Sequence, residues 1–264
     1  MKISLKLLLL AFALCSCARE ETIKTEEITY SADGVSMKGF LAYNNASTEK
    51  RPGVLVVHEW WGHNEYARKR ARMLAELGYT ALAVDMYGDG KQANHPNDAG
   101  KFANEVFQNI EGAKARFTAA MEVLKKHQTV DVRRIGAIGY CFGGGVVLHM
   151  ARFGFELKGV ASFHGSLGTQ TPAEKGKVKA AVLVCNGAAD PFVTAEQVEG
   201  LKKEMQNEGV DFQYVAYEGA VHSFTNPDAD ENGKKFELPL AYNKAADEKS
   251  WADLQAFFKR IFAQ

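Results

Sequence analysis

One stretch limits the folds open to this chain more than any other. An apolar run, Ile135 to Ile138, meets Gly139-Tyr140-Cys141-Phe142-Gly143, and Gly143-Gly144-Gly145 then opens a helix of small and apolar residues. A strand that turns into a helix within one residue strains that residue and presses its neighbours against the next segment, so the flanks must be glycine. The pattern G-x-C-x-G in a strand–turn–helix context is that of a nucleophile elbow, with Cys where Ser is commoner. A thiol there stands clear of the sheet and faces a helix N-terminus, which favours its anion. The same letters also suit a free cysteine packed in an ordinary turn. Partners elsewhere in the chain have to decide.

The rest of the sequence supplies a sheet for the elbow. Thr29 to Ser31 and Val35 to Tyr43 flank Asp33-Gly34 and read as a hairpin. Pro52-Gly53 introduces Val54-Leu55-Val56-Val57, a continuous apolar run typical of a parallel strand buried on both faces. Further strands are expected at Thr80 to Val84, Ile135 to Gly139, Val160 to Phe163, Ala181 to Cys185 and Phe212 to Tyr217. Between strands, Asn64 to Leu77 is amphipathic: Ala67, Ala71, Leu74 and Leu77 are apolar, and Arg68, Lys69, Arg70 and Arg72 polar. A loop is expected from Asp85 to Gly100, one long helix from Lys101 to His127, and others at Gly143 to Phe153 and Thr194 to Asn207. Trp251, Leu254, Phe257, Phe258, Ile261 and Phe262 form the apolar stripe of a docked last helix. Two antiparallel strands followed by strand–helix alternation predict one α/β domain, residues 28–264, with a doubly wound, mostly parallel sheet of about eight strands and helices on both faces. The length of 264 residues, 46% of them hydrophobic, suits a single domain of that size.

Function should collect where the strands end. After Ala181 to Cys185 comes Asn186-Gly187-Ala188-Ala189-Asp190-Pro191, which presents a carboxylate. After Phe212 to Tyr217 comes Glu218-Gly219-Ala220-Val221-His222, which presents an imidazole. A thiol needs both: His222 moves its proton, and Asp190 fixes the imidazole tautomer and steadies its charge. After Val54 to Val57 comes His58-Glu59-Trp60-Trp61-Gly62-His63. Its H-E-x-x-x-H spacing is one residue longer than the zinc motif H-E-x-x-H and splays the two rings, so no metal is expected. The loop is better placed for an oxyanion hole, in which the Trp60 and Phe142 amides converge on a developing negative oxygen. His164 also faces this end of the sheet, and a structural role near the elbow is expected for it.

The order nucleophile, acid, base on successive loops is that of α/β-hydrolases. The sequence resembles the dienelactone hydrolase family at Gly139-Tyr140-Cys141-Phe142-Gly143-Gly144, Gly187-Ala188-Ala189-Asp190-Pro191-Phe192-Val193, His222-Ser223-Phe224 and the Glu59 loop, over about Val35 to the last helix. The resemblance implies the α/β-hydrolase fold and a cysteine hydrolase of small esters or lactones, working through a thioester without a cofactor. It further implies that Glu59 contacts the resting thiol and helps to ionise it when substrate arrives; pairing with a nearby Arg or loop amide is the alternative. Dienelactone hydrolases proper hold their substrate's carboxylate with two arginines. The matching loops here read Asp85-Met86-Tyr87-Gly88-Asp89-Gly90 and Thr225-Asn226-Pro227, and neither contains Arg. An unpaired carboxylate would be costly there, so dienelactone itself is not expected as substrate. Trp60, Trp61, Tyr87, Phe142 and Phe224 suggest an apolar or aromatic ester pocket; ordinary packing is the alternative.

The ends and the charge complete the reading. Lys2 and Lys6 precede Leu7 to Leu14, an apolar run too short to span a bilayer, which marks 1–16 as an export signal. Leu14-Cys15-Ser16-Cys17 resembles a bacterial lipobox with Cys17 lipidated, followed by a polar tether over 17–27; a plain secretory signal is the alternative. The expected location is outside the cytoplasm, as a membrane-anchored lipoprotein on the periplasmic face or cell surface. The 32 basic and 32 acidic residues cancel and form no long basic run, which speaks against nucleic-acid binding. Cys141 and Cys185 are expected as free thiols, and the lack of C-x-x-C speaks against thiol redox chemistry. A ligand-binding lipoprotein on the same fold is the rival to an enzyme, although binding alone would not require all three groups.

Overall fold

The computed structural model describes residues 22–263. The expected export signal and Cys17 therefore lie outside the described residues. The elements are β1 (Ile23–Ala32), β2 (Val35–Asn44), β3 (Arg51–Val57), α1 (Glu65–Glu76), β4 (Thr80–Val84), α2 (Pro96–Gln108), α3 (Ile110–Lys126), β5 (Val130–Tyr140), α4 (Phe142–Arg152), β6 (Gly159–Phe163), β7 (Ala181–Gly187), α5 (Ala195–Asn207), β8 (Phe212–Tyr217), α6 (Ala229–Phe236) and α7 (Lys244–Phe262). They build one eight-stranded sheet in the order β1-β2-β4-β3-β5-β6-β7-β8. β1 and β2 are antiparallel, and β3 to β8 run parallel. The α/β-hydrolase arrangement expected from the sequence is therefore present.

The pleat divides the core. Val54 and Val56 of β3 face one layer with α1 and α7, while Leu55 and Val57 face the other with α3, α4 and α5. Central strands covered on both faces are buried on both, which is why β3, β4 and β6 are apolar at most positions and show no alternation. Parallel pairing sets β3, β5, β6, β7 and β8 side by side, so their carboxyl ends open on one edge.

Four local expectations change. β1 starts at Ile23, so residues 23–27 are strand rather than tether, paired from Ile23↔Asn44 onward. Pro96 at the first helical position starts α2 five residues ahead of Lys101. The expected Lys101–His127 helix is two helices broken at Asn109, which ends α2 and caps α3 by accepting from Gly112 N at 3.0 Å. An asparagine that captures a downstream amide starts a helix afresh. Arg70, read as part of the polar face of α1, is buried at 3% exposure. It points inward, onto Thr225 O and Asp247.

Candidate active site

β5 ends at Tyr140 and α4 begins at Phe142, so Cys141 alone makes the turn, at φ 52° and ψ −115°. Such a conformation persists only where the surroundings impose it. They do so here at very short range. A Cβ on Gly139 would stand 2.0 Å from Gly143 O, and one on Gly143 would stand 2.4 Å from Val57 O. Gly143 N donates to His58 O at 3.1 Å and ties the elbow to the end of β3.

The loops after β7 and β8 bring Asp190 and His222 together. His222 Nδ1 donates to Asp190 Oδ2 at 2.8 Å, which leaves Nε2 for Cys141, the sulfur that this imidazole faces. Asp190 is held by its own turn, because Phe192 N donates to Oδ1 at 2.9 Å. The half-exposed Phe192 ring meets the imidazole edge-on at 5.1 Å. Burial works against a charged His222, but the facing Cys141 sulfur and Asp190 outweigh it and raise the group to about 10. Cys141 is partly exposed, while Cys185 is buried beneath Tyr217, whose hydroxyl donates to its sulfur at 3.3 Å. Burial pushes the Cys185 thiol up to about 12, so it is inert at neutral pH.

Glu59 departs from the expectation. It lies at 1% exposure and holds Ser223 Oγ at 3.0 Å and Asn226 Nδ2 at 2.6 Å, with no hydrogen bond to Cys141 among the described residues. The cause is the turn after His222: Ser223, at φ 58°, directs its hydroxyl at the carboxylate. Burial raises the Glu59 carboxyl above its ordinary range, against the pull of those two donors and of His222. Glu59 is thus tied to the segment that carries His222, not to the thiol.

Behind the elbow lies a buried polar network. Cys141 N donates to Phe163 O at 2.9 Å and also to His164 Nδ1 at 3.1 Å. Burial holds His164 well below its ordinary range, so the ring is neutral. An Nδ1 that accepts leaves the proton on Nε2, which donates to Thr225 Oγ1 at 2.7 Å. Thr225 Oγ1 lies 2.6 Å from Tyr66 Oη, which accepts from Arg70 Nε at 3.2 Å. Arg70 Nη2 donates to Thr225 O and to Asp247 Oδ1, each at 2.6 Å. Ser223, Thr225, Asn226 and Arg70 carry no sequence signal for these roles beyond the nearness of the first three to His222.

The Trp60 and Phe142 amides donate no hydrogen bond to the protein among the described residues, as donors kept for an incoming oxygen would be. The Phe142 ring itself is buried between His58, Tyr87 and Phe107. Of the aromatics expected to line the pocket, Phe224 is wholly enclosed against His164 and Tyr217, so it is core and cannot touch a substrate. Tyr87 is a brace at 5% exposure: its hydroxyl donates to Trp60 O at 3.0 Å, while Asp85 holds its loop by accepting from the amides of Tyr87, Gly88 and Gly90. Trp61 is 6% exposed, between Trp60 and Phe236, and lines a polar cavity beside Asn226.

Comparison with known proteins agrees with this frame. Residues 37–262 match the dienelactone hydrolase family. The crystal structure of a dienelactone hydrolase-like promiscuous phosphotriesterase from metagenomic libraries is similar at a TM-score of 0.86, with 33% identity over 91% of this chain and 99% of the other. The protein named usf of Aquifex pyrophilus is 28% identical over 239 residues, 88% of this chain and 96% of that one. A chain of Aquifex aeolicus provisionally named a carboxymethylenebutenolidase is 28% identical over 75% of this chain and 86% of its own length. The chain is therefore a hydrolase and belongs to the dienelactone hydrolase family.

Proposed function

We propose that this hydrolase cleaves small carboxylic esters or lactones through a Cys141–His222–Asp190 triad and a thioester intermediate. The observation that carries the reading is a strained elbow sulfur facing an imidazole whose far nitrogen is tied to a carboxylate at 2.8 Å. The Cys141 sulfur attacks the carbonyl carbon, and the oxygen that becomes negative takes the free amides of Trp60 and Phe142. His222 Nε2 gives its proton to the departing alcohol, or to the ring-opened end of a lactone. His222 then removes a proton from water, which attacks the thioester and releases the acid. Glu59, holding Ser223, keeps the His222 loop in register. The loops at 85–90 and 225–227 contain no arginine, and Asp85 commits the first to its own amides, so a neutral ester suits the site better than a carboxylate-bearing lactone.

p-Nitrophenyl acetate tests the proposal. The wild type should turn it over; Cys141→Ala and His222→Ala should lose at least about a thousandfold in kcat, and Asp190→Asn less. Full activity in Cys141→Ala would sink the assignment. A wild type that hydrolyses no ester and reacts slowly with iodoacetamide would favour ligand binding alone. A phosphotriester belongs in the same panel, because the metagenomic relative carries that activity in its name.

The location belongs to the proposal as well. Lys2, Lys6, the Leu7 to Leu14 run and the lipobox-like Cys17 support export and anchoring of the chain to a membrane as a lipoprotein. Labelled palmitate should enter the wild type and not Cys17→Ala; equal labelling overturns this part.

A further inference from the structure

Resting on the ester-hydrolase reading, we infer that the enzyme takes acylated polyols, and that the cavity beside the Glu59 loop holds the hydroxyl-bearing part of the substrate. This cavity, about 290 Å³, is lined by five carboxamides: Asn64, Gln92, Asn94, Asn226 and Asn232. Trp61 and Ala93 supply an apolar wall, and Asp228 and Lys235 at the rim cancel in charge. Each carboxamide offers an acceptor and a two-proton donor, which matches hydroxyl groups, themselves donors and acceptors. An anion would meet no net positive charge here, and a hydrocarbon would strip the amides of water without replacing their bonds.

Three of these amides are not committed to the fold. Asn64 occupies the N-cap of α1, where such a side chain ordinarily accepts from the first turn, yet it makes no capping bond. Its Oδ1 is buried with no partner among the described residues. The side chains of Asn94 and Asn232 also make no hydrogen bond within the described residues. Gln92 and Asn226 are committed and form the frame: Gln92 donates to His63 O at 3.2 Å, and Asn226 donates to Glu59 Oε2 while accepting from Asp228 N. A fixed frame beside a buried acceptor without a partner and two uncommitted amides is the form of a binding site rather than of a packing defect.

The position suits a leaving group. Trp61 follows Trp60, whose amide is free for the oxyanion, and Asn226 is bonded to the same Glu59 that holds the His222 loop. Acyl transfer to the Cys141 sulfur would release the polyol, its oxygen taking the His222 proton, and water would then take the acyl group from sulfur. The volume sits near the lower end of the roughly 300–1,000 Å³ of small-ligand pockets, so one sugar ring or a glycerol is accommodated.

The test compares esters of similar leaving group: methyl 6-O-acetyl-glucopyranoside, glyceryl triacetate and cyclohexylmethyl acetate, with phenyl acetate as control. The wild type should favour a polyol ester over the cyclohexylmethyl ester by at least about tenfold in kcat/KM, mainly through KM, because a site built for hydroxyls rejects the analogue lacking them. Asn64→Leu and Asn232→Leu, on separate segments, should each shrink that preference severalfold. Preference for the glucoside assigns a sugar, and preference for the triacetate assigns glycerol. No preference, or one that both variants leave intact, overturns the inference while Cys141-dependent cleavage of phenyl acetate keeps the ester reading. If no ester is cleaved, calorimetric titration with methyl glucopyranoside and glycerol decides the cavity independently: binding weakened by Asn232→Leu supports it, and no binding overturns it.

Discussion

At Cys141 the backbone stands at φ 52°, and the glycines on either side have no room for a methyl group. Position matters here far more than residue type does in general. Gly143→Ala would set a Cβ 2.4 Å from Val57 O and 2.6 Å from His58 O, both backbone atoms. The elbow must then shift, and a displacement on the order of 1 Å at the proposed nucleophile costs about 100-fold in rate. Gly143→Ala should therefore lose at least that in kcat/KM on an aryl ester and also melt earlier. Gly100 in α2, where a Cβ would meet nothing within 4 Å, is the contrast. Gly100→Ala should be neutral or stabilise by about 0.5–1 kcal/mol, since alanine forfeits less backbone entropy in a helix. A thermal melt and one rate per variant check both expectations, and similar behaviour of the two would contradict the steric argument.

Among the elements, α1 carries the largest surprise. Its apolar stripe was legible from Ala67, Ala71 and Leu74, all fully buried, whereas Leu77, read as its last member, caps the helix at 40% exposure. Its basic residues read as one solvated face, yet Arg70 turns inward, lies over the rings of Tyr66 and Tyr140, and binds Thr225 O and Asp247. Spacing could not single out Arg70 from Arg68 and Arg72, because its partners lie 155 and 177 residues away. Removing one member of a buried ion pair strands the other, at about 3–5 kcal/mol. Arg70→Met should lower the melting temperature by roughly 6–20 °C for a domain of this size. Because Arg70 steadies Thr225 and Tyr66 behind His164, the variant should also react more slowly with iodoacetamide at Cys141. A stable Arg70→Met protein with an unchanged alkylation rate would remove Arg70 from the elbow's support.

Over the whole molecule, buried histidines make stability depend on pH. Burial, then His58 and Arg68, hold His63 down to about 4, and burial lowers His58 and His164 in the same direction. In the unfolded chain all three return to about 6.5, so below that pH the unfolded state binds more protons. Their stabilisation is complete above about pH 6.5 and is lost as pH falls toward 4, with His63 alone accounting for about 3 kcal/mol. His222 works the other way: raised to about 10, its contribution is complete below about 6.5 and lost as pH climbs through 10. The urea midpoint should therefore fall clearly between pH 7.5 and 4.5, and His63→Leu should flatten that fall. A midpoint constant over this range would contradict the burial argument.

The sequence by itself determined the sheet, because apolar runs of strand length alternating with amphipathic ones specify a parallel, doubly covered architecture. It also placed Cys141, Asp190 and His222 just after β5, β7 and β8, since each motif is a contiguous turn fixed by its own glycines and prolines. The break at Asn109 was a local cap that the apolar pattern masked. What only the tertiary structure decided are the pairings across strand ends: Glu59 with Ser223 and Asn226 rather than the thiol, His164 beneath the Cys141 amide, Arg70 with Asp247, and Phe224 sealed in the core. These contacts join residues far apart in the chain, and their geometry exists only once the sheet order has brought the loops together.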